Sequence, residues 1–320
     1  MLKIVSALVV LLAACAASAQ TYPTKPIHLV VGFAPGGAAD IIARTVSDPL
    51  SRTLGQSIIV ENKPGAGSSV AADFVAKAIP DGYTIIIASQ SGMVINPLIN
   101  KSVTYDTQRD FAAITQVTSS PLVVAVNPAL PVSSIRDLIA EAKKSPGKLN
   151  YATSGNGSLP HLAATLFSAL SGVQMVHVPY KSGGQSVQSV LAGDTQVTFA
   201  TAPSVMPLVL SGRLRGIAVT TRARSALVAG LPGMEEAGLP GYNLSIWYGF
   251  FAPAGTPRDV VLRLFQATTQ ALQDAKLKQV LAHDGTEALG SSSPEAFAAF
   301  LREEAEVTAR VIRESGAKFD

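Results

Sequence analysis

Two glycine- and serine-rich stretches stand where a strand pattern gives way to a helix pattern, and their backbone could hold an anion. The first is Ala34-Pro35-Gly36-Gly37, which follows the apolar run 29–33 and leads into a helix near Asp40. The second is Ser154-Gly155-Asn156-Gly157-Ser158, which follows 149–153 and leads into a helix near His161. N–H groups in the first turn of a helix lack partners within the helix, and the helix dipole is positive there. Such loops therefore favour a carboxylate or a phosphate.

Either loop alone could be an ordinary tight turn, with Asp40 bracing the first and His161 supporting the second. Their repetition favours a ligand site, because two such loops in different parts of an α/β chain predict a cleft with one loop on each side. Other polar residues fall on loops that the topology turns toward the same cleft. These are Ser89, Gln90 and Ser91 after the strand pattern 84–88, and Thr201 and Ala202 after the strand pattern 196–200.

The residue patterns of hydrolases are incomplete in this chain. Residues 145–148 have Ser-x-x-Lys spacing and residues 181–183 read Lys-Ser-Gly, as in penicillin-binding enzymes. Pro146 and Gly147 would break the helical turn that must place this lysine below its serine, and no Ser-Asp-Asn sequence is present. The sequence has no G-x-S-x-G elbow and no P-loop. We predict a protein that is not an enzyme, and an exported hydrolase remains the alternative.

We predict no metal and no cofactor. The glycine pattern at 65–70 resembles a dinucleotide fingerprint, but Val70 occupies the position of the third glycine and no acidic residue ends the next strand. The four histidines show no metal-ligand spacing: they are His28, His161, His177 and His283.

Residues 1–19 have the pattern of a secretory signal peptide. A basic start at Lys3 precedes the apolar run 4–14 and an Ala-x-Ala site that ends at Ala19, so we expect an exported protein cleaved there. The residues that end at Cys15 resemble a lipobox, and acylation of Cys15 is the alternative. Since Cys15 is the only cysteine, cleavage after Ala19 leaves no disulfide or thiolate chemistry.

Length and composition predict about two domains and no affinity for nucleic acid. The chain has 320 residues, of which 48% are hydrophobic, enough for sizeable cores in about two domains. The formal charge is +3, and no dense stripe of lysine and arginine interleaved with aromatic residues is present.

Strand and helix patterns alternate, which predicts α/β domains with mostly parallel sheets flanked by helices. Two strand-like runs, 114–117 and 121–128, are joined by Thr118-Ser119-Ser120 and carry the chain into a second domain. The run 214–221 brings it back. We therefore expect domain 1 at 20–117 and 222–320 and domain 2 at 118–221. The crossing segments 117–123 and 217–221 would form the hinge.

Six motifs follow one another along the chain: PGGAAD at 35–40, ENKPGAG at 61–67, PDGYT at 80–84, SGNGSLPH at 154–161, VPYK at 178–181, and WYG with APAGTP at 247–257. In this order they resemble the TctC-like, or Bug-type, receptors of tripartite tricarboxylate transporters. The resemblance implies a type II-like periplasmic binding protein, with two domains joined by two crossing strands. It also implies a periplasmic monomer that closes on a small organic anion and delivers it to membrane permease subunits. A scavenging or sensory receptor of the same fold, without a transporter, is a further alternative.

The resemblance also assigns the two loops their roles. Residues 34–37 and 154–158 would grip the carboxylate of a di- or tricarboxylate, aliphatic or aromatic, partly through ordered water. Ser182-Gly183, Ser189 and Gln196 depart from the residues usual in the family, which leaves the choice of ligand open. The roles of Tyr180 and Trp247 also stay open, since an aromatic residue that starts a buried strand is as often part of the core as of a pocket wall.

Overall fold

The structure is a computed structural model that describes residues 22–315, so the predicted signal peptide and Cys15 lie outside the described residues. Its strands are β1 Ile27–Val31, β2 Ile58–Asn62, β3 Thr84–Ser89, β4 Phe111–Val126, β5 Asn150–Thr153, β6 Val176–Pro179, β7 Val197–Thr201, β8 Arg215–Val219, β9 Ser245–Pro253 and β10 Glu287–Ala288. Its α-helices are α1 Ala38–Leu54, α2 Ser69–Ala76, α3 Asn96–Ile99, α4 Thr107–Asp110, α5 Ile135–Lys144, α6 Leu159–Ser171, α7 Gly183–Ala192, α8 Ala202–Leu210, α9 Arg258–Ala271, α10 Ala275–His283 and α11 Pro294–Ser315. A 3-10 turn, Ala66–Ser68, precedes α2, and a π-helical turn, Ser91–Ile95, precedes α3.

The strands pair in the order β2-β1-β3-β9-β4-β7-β5-β6, with β8 and β10 also on β4. We call β2, β1, β3, β9, β10 and the first part of β4, with α1 to α4 and α9 to α11, the first lobe. The second lobe contains the rest of β4, β5 to β8, and α5 to α8. Residues 111–121 of β4 pair with β9, whereas residues 122–126 pair with β7 and β8. The α/β class and the two-part arrangement of the prediction are confirmed.

The sheet is mixed rather than mostly parallel. Pairing is parallel among β1, β2 and β3 and among β5, β6 and β7, but β3–β9, β9–β4, β4–β7 and β4–β8 are antiparallel. The physical reason is the shared strand: the chain leaves the first lobe along β4 and returns through β8 and the segment after it into β9, so β8 and β9 both lie antiparallel to β4.

The predicted break at residues 118–120 is wrong, because β4 continues through them. Thr118 pairs with Tyr248 and Ser119 with Trp247 of β9, a strand more than a hundred residues later. Thr118 and Ser120 are buried. Their polarity made them look like a linker, and long-range pairing kept them in the strand.

Thr220 ties the two crossing segments together beside the point where β4 changes lobes. It is fully buried; its hydroxyl accepts a hydrogen bond from the Leu122 N–H at 2.9 Å and donates one to the Leu244 carbonyl at 2.8 Å. Its own N–H donates to the carbonyl of Leu122 at 2.9 Å.

The first loop lies between two well-anchored elements. In β1 Leu29, Val30 and Val31 are fully buried, and in α1 the buried residues Ile42, Val46 and Leu50 recur at helical spacing, so one face of the helix packs on the sheet. Burying a side chain of this kind contributes roughly 1.5–3 kcal/mol. Among residues 22–315, no helix is long and apolar enough to cross a bilayer.

Candidate ligand-binding cleft

A small cavity lies between the two lobes, and the space in it that a water-sized sphere can occupy is about 20 Å³. Its walls come from residues of both lobes: Phe33, Gly37, Ala38, Ala39, Ser91, Ser154, Pro160, Gly183, Ser186, Ala200, Thr201, Ile246 and Tyr248. None of these wall residues, all in the described part of the chain, is an aspartate, glutamate, lysine, arginine or histidine. The polar groups are hydroxyls and main-chain N–H groups, set among apolar side chains.

Residues at the N-termini of four helices line this cavity. Ala38 and Ala39 begin α1, Pro160 is the second residue of α6, Gly183 begins α7, and Thr201 precedes α8. The helices α1 and α8 start without a side-chain cap, so their first N–H groups are available to a ligand. Each N-terminus carries about half a positive charge, and together they favour an anion without any cationic side chain.

Asp40 holds the first loop from below. Its carboxylate, in the first turn of α1, accepts the Gly36 N–H at 3.0 Å, the Arg44 Nε–H at 3.0 Å and the Asn62 amide at 3.0 Å. The same amide of Asn62 donates to the carbonyl of Phe33 at 3.0 Å. Burial opposes ionisation of Asp40, but the hydrogen bonds from Arg44, Gly36 and Asn62 together keep its pKa below the usual value.

The second loop is held by Ser158 and by two stacked histidines. Ser158 caps α6: its hydroxyl accepts the His161 N–H at 3.3 Å and donates to the Gly155 carbonyl at 2.7 Å. The Gly157 N–H donates to His161 Nδ1 at 3.4 Å. The ring of His177 stacks on that of His161, with centroids 4.0 Å apart, and its Nε2 lies 2.6 Å from the hydroxyl oxygen of Thr153. Burial, and secondarily the neighbouring His161, lowers the pKa of His177 to about 3, so this ring is neutral near pH 7.

The two lobes touch directly around the cavity. The Ala34 N–H donates to the carbonyl of Lys181 at 3.1 Å, and the Leu159 N–H donates to the hydroxyl of Ser91 at 3.0 Å. Gly184 lies so close to the first loop that a Cβ there would come within 2.5 Å of the Gly36 carbonyl oxygen. This is therefore the closed arrangement of the cleft.

Gln90 connects the floor of the cleft to α11. Its amide oxygen accepts the main-chain N–H of Trp247 at 3.1 Å, and its amide nitrogen donates to the Ser245 carbonyl at 3.0 Å. The carboxylate of Glu304 accepts both that amide, at 3.1 Å, and the indole N–H of Trp247, at 3.0 Å. Burial raises the pKa of Glu304, and the two hydrogen bonds oppose this rise. Trp247 packs on Phe251, Phe297 and Phe300 and belongs to the core.

The structure brings some of the predicted ligand residues to the cavity wall and leaves others beside it. Gly37, Ser91, Ser154 and Thr201 line the cavity. Ala34, Ser89, Gln90, Gly155, Ser158 and Ala202 do not line it, but each is within two residues in the sequence of one that does. Pro35, Gly36 and Tyr180 line an outer groove, and Asn156 and Gly157 line a separate cavity with Asn96 and Lys101. The assignment of these residues to ligand binding stays a prediction.

Sequence reasoning missed the wall residues of α7 and β9. Gly183 and Ser186 follow a strand–loop–helix pattern like the first two, and that pattern could have indicated them. Ile246 and Tyr248 had no such signal. Tyr248 brings a phenol to the wall, and burial raises the pKa of that phenol, so it stays a neutral donor. Two of the residues that depart from the family pattern, Ser189 and Gln196, lie away from the cavity. Ser189 bonds the hydroxyl of Thr195 and Gln196 accepts the N–H of Asn150, both within the second lobe.

Comparison with known proteins gives one consistent result. Residues 42–317 match the family model described as the tripartite tricarboxylate transporter family receptor. The protein BugT of Bordetella pertussis (strain Tohama I) is 33% identical over 302 residues, covering 94% of this chain and 92% of BugT. An R. palustris protein solved with adipate has a TM-score of 0.89 and 34% identity, covering 92% of this chain and 98% of its own. MatC from Rhodopseudomonas palustris, with bound malate, has a TM-score of 0.87 and 27% identity, covering 91% and 100%.

Proposed function

Because this chain belongs to the tripartite tricarboxylate transporter receptor family, we propose that it captures a small carboxylate in the periplasm by closing its two lobes around it. Solute binding is the activity of this receptor family. The observation that carries the proposal is the small cavity between the lobes, where four helix N-termini converge and whose walls bear no charged side chain. Such a site attracts an anion and excludes a cation.

Hydrogen bonds to the anion supply part of the binding free energy. A hydrogen bond to a charged group contributes about 1.5–3 kcal/mol. Four such bonds, from the main-chain N–H groups at the start of α1 and α8 and from the hydroxyls of Ser91 and Tyr248, would contribute about 6–12 kcal/mol against costs of about 4–15 kcal/mol for ordering and association, so burial of apolar ligand surface must add to them. Micromolar affinity requires about −8 kcal/mol.

For the ligand we propose a di- or tricarboxylate. Two relatives of solved structure, bound to adipate and to malate, agree with a compact dicarboxylate. An aromatic acid remains within the proposal, since Phe33, Ile246 and Tyr248 give the walls apolar surface.

Closure would be a rotation of one lobe against the other, with domain 1 at 20–117 and 222–320 and domain 2 at 118–221. The support is the topology: the chain passes between the lobes along β4 and along the segment that follows β8, and Thr220 joins both passages by hydrogen bonds. Rotation about residues 120–122 and 219–221 would open the cavity while each half of the sheet kept its pairing.

The partners we propose are the ligand and the membrane permease subunits of a tripartite transporter, with the receptor as a monomer. Export through the signal peptide at 1–19 would place it beside such a permease. No catalytic step and no cofactor enter this mechanism.

A thermal-shift screen tests the function. The mature protein is heated with a panel of mono-, di- and tricarboxylic acids and with their amides or esters. Only binding to the native state raises the midpoint, and we expect a rise with at least one acid and none with its amide. If no acid raises it and native mass spectrometry finds no ligand already bound, the proposed function is wrong. NMR of the acid after incubation checks that it is not consumed.

A further inference from the structure

Asn96, the first residue of α3, lies between the lobes but does not line the central cavity. It is 2% exposed, and its amide Nδ2 donates to the carbonyl oxygens of Ser91 at 2.9 Å and Gly67 at 3.0 Å, both in the first lobe. The same nitrogen lies 3.4 Å from the carbonyl oxygen of Gly157 in the second lobe. One side chain thus spans the cleft outside the place where a ligand would sit.

Two glycines fit around this amide, one from each lobe. A Cβ at Gly67 would lie 2.5 Å from Asn96 Nδ2, and a Cβ at Gly157 would lie 2.3 Å from Asn96 Oδ1. Gly67 also approaches the opposite loop, since its Cβ would lie 2.7 Å from the carbonyl oxygen of Asn156. No larger residue fits at either glycine, so the close approach of the lobes depends on all three residues. We call Asn96, Gly67 and Gly157 the latch.

We propose that Asn96 is a positioning residue for closure: its amide, held ready in the first lobe, engages Gly157 only when the lobes meet and so slows release of the ligand. This inference rests on the proposed function. Opening would break the contact with Gly157 but leave the bonds to Ser91 and Gly67, so the amide stays pre-organised for the next closure. Asn156 and Gly157 would then serve closure rather than contact with the carboxylate.

The latch is also connected to the ligand site. The Ser91 carbonyl accepts a hydrogen bond from the Asn96 amide, and the Ser91 hydroxyl accepts one from the Leu159 N–H. Ser91 also lines the cavity. A ligand that fixes the position of Ser91 therefore also fixes the carbonyl oxygen to which the Asn96 amide is bonded. We expect the latch to act on every ligand to a similar degree, because it touches none of them.

The test compares Asn96→Ala with Asn127→Ala. Asn127 is a matched control because its side chain bonds the Val190 carbonyl at 2.7 Å and the Ala129 N–H at 2.8 Å, both within the second lobe. The probes are adipate and malate, and dissociation is followed by stopped-flow fluorescence of Trp247, the only tryptophan. We expect N96A to raise Kd and the dissociation rate about tenfold, the factor that corresponds to 1.4 kcal/mol. N127A should change both by less than twofold.

A second variant guards against simple loss of packing. Asn96→Asp keeps the volume but places a carboxylate among three carbonyl oxygens, so it should release the probe at least as fast as N96A. A structural role alone would lower the melting temperature of the ligand-free variants and leave the dissociation rate unchanged. Equal dissociation rates in N96A, N96D and N127A would overturn the proposal.

The latch can fail while the proposed function stands, and the reverse. If wild type binds neither probe nor any acid of the screen, the proposed function is wrong. The latch is then tested by the radius of gyration of the ligand-free proteins, measured by small-angle scattering. A larger radius of gyration in N96A than in N127A and wild type supports it. Equal radii in all three overturn it.

Discussion

Gly184, the second residue of α7, packs against the first loop across the cleft, and alanine there should affect closure and folding differently. A Cβ would lie 2.5 Å from the carbonyl oxygen and 2.9 Å from the carbonyl carbon of Gly36. Since contacts of this kind are optimal near 3.5 Å, the lobes would have to move apart by about 1 Å. Overpacking costs about 1–3 kcal/mol, here only in the closed state, which weakens ligand binding about 5- to 150-fold.

The same substitution should increase the stability of the folded protein. The φ angle of Gly184 lies outside the left-handed region, so alanine fits the backbone and, by restricting the unfolded chain, stabilises the protein by about 0.4–1 kcal/mol. Titration calorimetry with the acid found in the screen measures the first effect, and thermal unfolding without ligand measures the second. The control is Gly290→Ala, whose Cβ would lie 3.2 Å from Cγ2 of Thr269 within the first lobe. If G184A binds as tightly as wild type, the lobes do not meet in the bound state and the reasoning is refuted.

Three further substitutions probe the site and its support. Asp40→Asn should lower the free energy of unfolding by about 1–3 kcal/mol at pH 7. Because the pKa of Asp40 is lowered in the native state, its contribution is present above about pH 4 and disappears as the pH falls through the native pKa, so denaturation at low pH should show no difference. Tyr248→Phe should raise Kd about 5- to 10-fold with an unchanged melting temperature, and an unchanged Kd by calorimetry would show that the phenol does not contact the ligand. Because the pKa of Glu304 is raised in the native state, wild type loses stability as the pH rises from about 4 through the native pKa. The stability of Glu304→Gln relative to wild type should therefore increase between about pH 4 and pH 7. A constant difference between the two proteins in denaturation experiments would contradict this.

The parts of the site that sequence reasoning reached are those that a local pattern encodes. Gly37 and Ser154 follow an apolar strand and precede a helix, and Ser91 and Thr201 stand at the ends of strands whose limits can be read from their apolar residues. Carboxyl ends of parallel strands share one edge of a sheet, so such residues meet wherever the strands are placed. All four line the cavity.

The residues that were missed depend on contacts distant in sequence. Tyr248 faces the cavity because of the register of β9 on β4, which shifts at two irregular positions, and no local pattern encodes that register. Thr118 and Ser120 resemble a linker until β9 is known to pair with them. Asn96 carries no motif, and its position between Gly67 and Gly157 exists only when both lobes are folded and closed.

The cavity wall has a consequence for how the ligand is given up. Among the described residues that line it, only Tyr248 can titrate, and burial raises the pKa of its phenol. The main-chain N–H groups and hydroxyls around the anion neither gain nor lose protons over the pH range in which a carboxylic acid is ionised. A fall in local pH therefore cannot release the ligand by protonating a group in the cavity wall. Release then depends on opening of the lobes, and its rate is set by the contacts between them.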